Sequence, residues 1–218
     1  MRRLAWAGVA FALVAWAVPA HGQVAKLLPV DEAAGDPGFF LFRARLSDAV
    51  QARDTAFLYS ILAPDLLNSF GGDGGPAEFR QSWQPGDPDS ELWAVLSGIL
   101  ARGGTFLGDS VFTAPYTFAV PAPADAYSHV VIAGERVLVR AEPRRAAPRL
   151  AVLDFDVVAT PNGWREAEGD GTTWVQVQLA DGREGWVAGD YVHSMIGYRA
   201  GFVRRAGQWW LRVLVAGD

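Results

Sequence analysis

The chain has 218 residues, no cysteine and a formal charge of −5 at pH 7. Lacking cysteine, it has no disulfide, no thiol nucleophile, no thiolate metal ligand and no lipid-modified N-terminal cysteine. The acidic balance, with no basic stripe to offset it, excludes nucleic acid as a partner.

Met1, Arg2 and Arg3 precede an apolar run from Leu4 to Val18 and the small residues Pro19, Ala20 and Gly22. This is the pattern of a signal peptide over residues 1–22, cut after Ala20 or Gly22. The run falls short of a membrane span of about 20 residues. The expectation is a periplasmic or secreted protein with no stable membrane anchor after signal removal. Losing Arg2 and Arg3 makes the mature chain more acidic still. Roughly 195 residues remain, enough for one large or two small cores.

Phe39, Phe42, Leu46, Ala49 and Val50 recur at helical spacing, with Arg43, Arg45 and Asp48 between them. Asp54 is placed to cap a second helix through Phe57, Leu58, Ile61 and Leu62, stopped by Pro64. Pro76 opens a short third helix carrying Phe79 and Trp83. A fourth follows Ser90, presents Leu92, Trp93, Leu96, Ile99 and Leu100, and ends at Gly103 and Gly104. Thr105 to Val120, broken by Pro115, reads as one or two extended pieces. Pro121 to Asp125 is a stiff linker, where the domain boundary is placed. Beyond it the period falls to two: Val137 and Val139 oppose Leu138 and Arg140, and Val175 and Val177 alternate with Gln176 and Gln178.

Two segments, VLVRAEP at 137–143 and TWVQVQLADGREGWVAGDYV at 173–192, resemble the bacterial SH3 family. They match its opening strand and its paired strands with the Gly-Trp-Val stretch and closing Tyr, over roughly sixty residues. Glu142 and Asp156 depart from the pattern, standing where small residues or Gly are usual, and the loop from Ala159 to Gly171 is longer. The resemblance implies a small barrel with a shallow groove for cell-wall peptides, glycan stems or protein segments, as in exported SH3 domain-containing proteins. The ending at 198–218, a hairpin turning at Ala206 and Gly207, is similar to the last two strands of cone-shaped domains of the nuclear transport factor 2 type. The expected fold class is α+β: a mainly helical N-terminal region (37–120), a small SH3-like β-barrel (126–196), and a terminal hairpin (197–218) that either stands apart or completes the N-terminal domain.

Candidate ligand-binding residues are Glu142, Trp164 and Tyr191 in the barrel groove and Asp73 in the Gly-rich loop Ser69 to Gly75. Trp164 sits among Gly and Asn neighbours, which suits stacking on a sugar or peptide. Four glycines around Asp73 permit unusual backbone, although a tight connection between two helices is the simpler account of them. Asp87, Asp89 and Glu91, with Asp73 and Glu78, are the reservoir for a glycosidase pair, while acids near a helix start explain them more simply. Trp174 and Trp186 read as packing residues. Trp209 and Trp210, adjacent in a strand, face opposite sides. His129 and His193 alone make a weak metal case, so no metal and no cofactor is expected.

The functional expectation is an exported, non-catalytic binding protein whose barrel recognises a cell-wall component such as peptidoglycan, or an envelope protein. Two alternatives stand beside it. One is a carboxylate-dependent wall hydrolase targeted by the barrel; the other is a small-molecule pocket lined by Phe70, Phe79, Trp83 and Trp93.

Overall fold

A computed structural model describes residues 25–72, 74–119, 121, 123–161 and 163–217. The expected signal peptide (1–22) and Asp73 lie outside the described residues.

Asp36 opens the first helix, α1 (Pro37–Ala52), by accepting the Phe39 amide at 2.8 Å, and Asp54 caps α2 (Thr55–Ser60) by accepting from Phe57 at 3.0 Å. The next residues are not helix: Leu62–Leu67 form β1, an edge strand. Pro64 is tolerated there because an edge strand leaves one side of its backbone unpaired. After α3 (Gly75–Trp83) and α4 (Leu92–Ala101) come β2 (Thr105–Phe106), β3 (Val111–Ala114) and the single turn α5 (Tyr116–Ala119). The second half supplies β4 (His129–Ile132), β5 (Val137–Arg140), β6 (Arg149–Leu153), β7 (Val157–Ala159), β8 (Glu166–Gly169), β9 (Thr172–Gln178), β10 (Glu184–Ala188) and β11 (Val192–Ser194). The chain closes with the hairpin β12 (Arg199–Arg205) and β13 (Gln208–Val215).

These strands form two sheets, and they overturn the expected fold class. The first sheet has five strands in the order β1-β13-β12-β3-β2, so the C-terminal hairpin occupies its middle. The N-terminal region is therefore not a mainly helical domain. Its helices are short and cover one face of a sheet that the sequence does not announce, because β1 pairs with β13 across almost 150 residues. The second sheet runs β11-β4-β7-β9-β10-β5-β6, with β8 branching from β9. Its end strands β11 and β6 do not pair, so no closed barrel forms. Alternation had indicated strands and faces, but closure depends on the stagger between distant strands, which alternation leaves open.

Three cores hold this arrangement. Phe39, fully buried, centres the first: its ring lies 4.1 Å from Phe112, 4.8 Å from Trp209, 5.6 Å from Phe106 and 5.7 Å from Phe202. Val130, Ile132, Val139, Val175, Val177 and Val187 fill the second, inside the curl of the larger sheet. The third joins the sheets, packing Tyr116 from α5 and Leu27 on Val131, Val157 and Met195. Asp156, one of the two departures from the SH3 pattern, has a structural task here. It is buried, accepts the Asp154 amide at 2.7 Å and pairs with Lys26 at 3.2 Å, which ties the start of the described chain to the second sheet. Across the first sheet, Arg205 and Arg212 both bond Asp65 and hold its carboxyl well below the usual range. Among the described residues, no helix is long and apolar enough to cross a membrane.

Candidate functional site

Where the two sheets meet, a cleft of about 330 Å³ opens between α4 and β11. The first sheet's layer contributes Gly98 and Ile99 from α4, Arg102 just past its end, and Thr117; the second contributes Trp164 and His193. Tyr198, at the entry to β12, closes one side. Gly98 makes room: a Cβ at that position would stand 3.3 Å from Nη2 of Arg102, whose guanidinium folds back along the helix by one turn. Pockets at the meeting of two structural layers, with converging polar groups, are where ligands most often sit.

The electrostatics of this cleft are unbalanced. Arg102 makes no ion pair among the described residues, and its Nε is buried without a hydrogen-bond partner. The hydroxyl of Tyr116, a core residue between two that line the cleft and only 2% exposed, likewise has no partner among the described residues. Burial lowers the pKa of Arg102 and raises that of Tyr116. Burial first, and the Arg102 charge second, pull His193 from 6.5 to about 4. At neutral pH the described residues lining the cleft thus present one cation, a neutral imidazole and no carboxylate. A desolvated guanidinium without a counterion is costly, and an incoming anion with two acceptor oxygens offsets that cost through charge-assisted bonds.

The depressed His193 has a measurable consequence. Between pH 6.5 and 4 the unfolded chain binds a proton that the folded chain resists, so stability falls as pH drops through this window and levels off below it. With partial exposure discounted, the loss is on the order of 2 kcal/mol. Denaturant titrations at pH 7, 5.5 and 4 will show a smaller decline in His193→Asn than in the native chain. Equal declines in the two proteins refute this role.

The chain matches no protein-family model, no curated protein sequence and no solved structure. Of the three expected groove residues, Trp164 lies in the junction cleft, 46% exposed, with Nε1 donating to Glu166 at 2.7 Å, which orients the ring. Tyr191, 47% exposed, borders a separate hollow of about 290 Å³ beside Arg136, Arg140 and Trp174. Glu142 lines neither. It is exposed and held by Arg144 at 2.9 and 3.2 Å, bonds that lower its pKa. Trp174 is buried with Nε1 donating to Gly169, and Trp209 is in the core. His129 and His193 occupy the neighbouring strands β4 and β11. Among the described residues, no three His, Asp or Glu side chains gather as a metal site. Sequence reasoning passed over Arg102 and Tyr198. A basic residue at a helix C-terminus is ordinary, and nothing in the sequence marks this one as unpaired.

The Gly-rich loop serves Glu78. That carboxylate accepts from Asn68 Nδ2 at 2.9 Å, Ser69 Oγ at 2.9 Å and the Gly74 amide at 2.7 Å. A Cβ on Gly72 would collide with its oxygens, and Gly74 has φ +71°. The glycines let the chain wrap the carboxylate, and Glu78 is thereby committed to holding the loop. Beside the loop lies a larger cleft of about 650 Å³, lined by Asn68, Phe70, Trp83, Tyr198 and the acids Asp87, Asp89 and Glu91. Of the four aromatics expected in a small-molecule pocket, Phe70 and Trp83 line this cleft, while Phe79 and Trp93 are buried in the core.

Proposed function

We propose that this is an exported, non-catalytic binding protein that holds a carboxylate-bearing component of the cell wall in the cleft between its two sheets. The observation that carries the reading is the Arg102 guanidinium, drawn out of water at the cleft with no counterion among the described residues. Trp164 adds a flat apolar face beside it, suited to the non-charged part of the same ligand. The likeness of 137–143 and 173–192 to bacterial SH3 sequences, together with the leader pattern, supports an envelope setting. One fixed cation, one neutral imidazole and a stacking ring support recognition of an anion.

Retention on purified cell wall tests this. The mature protein is expected in the pellet, and Trp164→Ala is expected to shift at least tenfold toward the supernatant, as loss of a stacking contact predicts. Equal retention of native and Trp164→Ala protein, or none of either, would count against the proposal.

A further inference from the structure

The hollow of about 290 Å³ beside Tyr191 shares no lining residue with the junction cleft, so what it binds is a separate question. Arg136, Arg140 and Arg145 line it, with Glu135 as its one carboxylate among the described residues. Three guanidiniums against one carboxylate leave a formal charge of +2, on a chain whose total is −5. None of these four side chains makes an ion pair among the described residues.

Two of the cations are held in place by neutral partners. Arg140, at the end of β5, donates from Nη1 to the Ala147 carbonyl at 3.0 Å, and Arg145 donates from Nη2 to Thr172 Oγ1 at 3.1 Å. Each bond uses one of the five N–H donors of a guanidinium, which leaves most of the fork for a ligand. The backbone is pinned as well: the amides of Arg136 and Arg145 donate to Asp154 at 2.6 Å and Asp170 at 2.7 Å, carboxylates that do not line the hollow. One side is apolar. The half-exposed Tyr191 ring lies against Gly134, where a Cβ would stand 3.2 Å from its Cδ1, and Leu138 lines the same space.

Cations gathered in one hollow repel each other, and an anion that meets all of them relieves the repulsion. A carboxylate brings one charge and two oxygens. A phosphate monoester brings close to two charges and three free oxygens, and so matches both the charge of the hollow and its number of guanidinium forks. We propose that this hollow binds a small organic phosphate monoester, its phosphoryl oxygens on Arg136, Arg140 and Arg145 and its alcohol portion against Tyr191 and Leu138. A soluble phosphorylated alcohol and a lipid headgroup ending in phosphate present the same group.

The test is calorimetric titration of the full mature chain at low salt, well above the ester's second pKa of about 6. The ligands are glycerol 3-phosphate, its methyl diester, and glycerate. Glycerol 3-phosphate is expected to bind, with the diester and glycerate weaker by about tenfold. Arg136→Gln removes a side chain with no hydrogen bond or ion pair among the described residues, and is expected to weaken the monoester about tenfold in a protein that still folds. Glu135→Gln removes the repelling charge and is expected to tighten binding by about two- to fivefold. Sedimentation with phosphatidylcholine vesicles, with and without phosphatidic acid, separates the sources. Binding to phosphatidic acid that Arg136→Gln abolishes assigns the phosphate to lipid, and binding of soluble glycerol 3-phosphate alone assigns it to a free alcohol. Equal binding of monoester, diester and glycerate overturns the proposal, as does no binding of the monoester in either form. So does an Arg136→Gln protein that binds as the native chain does, or a Glu135→Gln protein that binds more weakly.

Discussion

Replacing Arg102 by Met is expected to weaken wall binding about 100-fold while making the folded protein more stable by about 1–2 kcal/mol. The two effects share one cause. A guanidinium kept partly out of water without a counterion is a standing cost to the free protein, and an apolar side chain of similar length removes it. The same guanidinium is the group that meets the ligand's carboxylate, so its loss removes the strongest bond in the cleft. An ordinary structural arginine behaves in the opposite way, because deleting it breaks bonds and lowers stability. Urea denaturation of the two proteins in the absence of ligand, beside the wall-retention assay, reads both quantities. A destabilised Arg102→Met protein, or one that binds as the native chain does, contradicts the assignment.

The second large effect concerns the fold. Phe39→Ala is expected to cost about 3–5 kcal/mol, the range for an aromatic truncated in a packed core. Phe39 has no exposed surface and touches rings from α1, β2, β3, β12 and β13, so the vacated space is bordered by side chains already locked against one another. With total stabilities of about 5–15 kcal/mol, such a loss leaves the first sheet close to unfolding. Trp209 stands 4.8 Å from Phe39, which makes its fluorescence the natural probe of urea unfolding. A midpoint shift equivalent to under about 1 kcal/mol would show that the ring cluster is not what holds the helices to the sheet.

Local chemistry in the sequence sets the Asp54 cap and the course of α1 and α4, while Leu62, expected in the second helix, lies in β1, and Tyr116–Ala119, expected to be extended, is a helical turn. Asp36 was not singled out, yet the helical spacing it caps was, and Asp54 was recognised as a cap. Pro64 was read as a stop and the helix does end before it; that the following residues would be a strand depends on β13, far along the chain. The strands around Val137 and Val175 were visible as alternation, whereas the closed barrel inferred from them was wrong, because closure is a property of how strand ends meet and not of any strand's pattern. Trp164 was picked out by its loop context. Its partners in the cleft, Arg102 and His193, come from elements some thirty to sixty residues away in opposite directions.

The sequence by itself determined the course of helices α1 and α4, the alternation of the strands around Val137 and Val175, and that thiol chemistry is absent, since these follow from residue type and spacing within a few turns of chain. Only the tertiary structure decided that the last hairpin sits in the middle of the first sheet, that Glu78 is consumed by the glycine loop, and that Arg102 has no counterion among the described residues. Each of these is a statement about which group stands next to which across long sequence separations. Whether a charge is paired, buried or open to a ligand is fixed by those neighbours, and they are brought together only by folding.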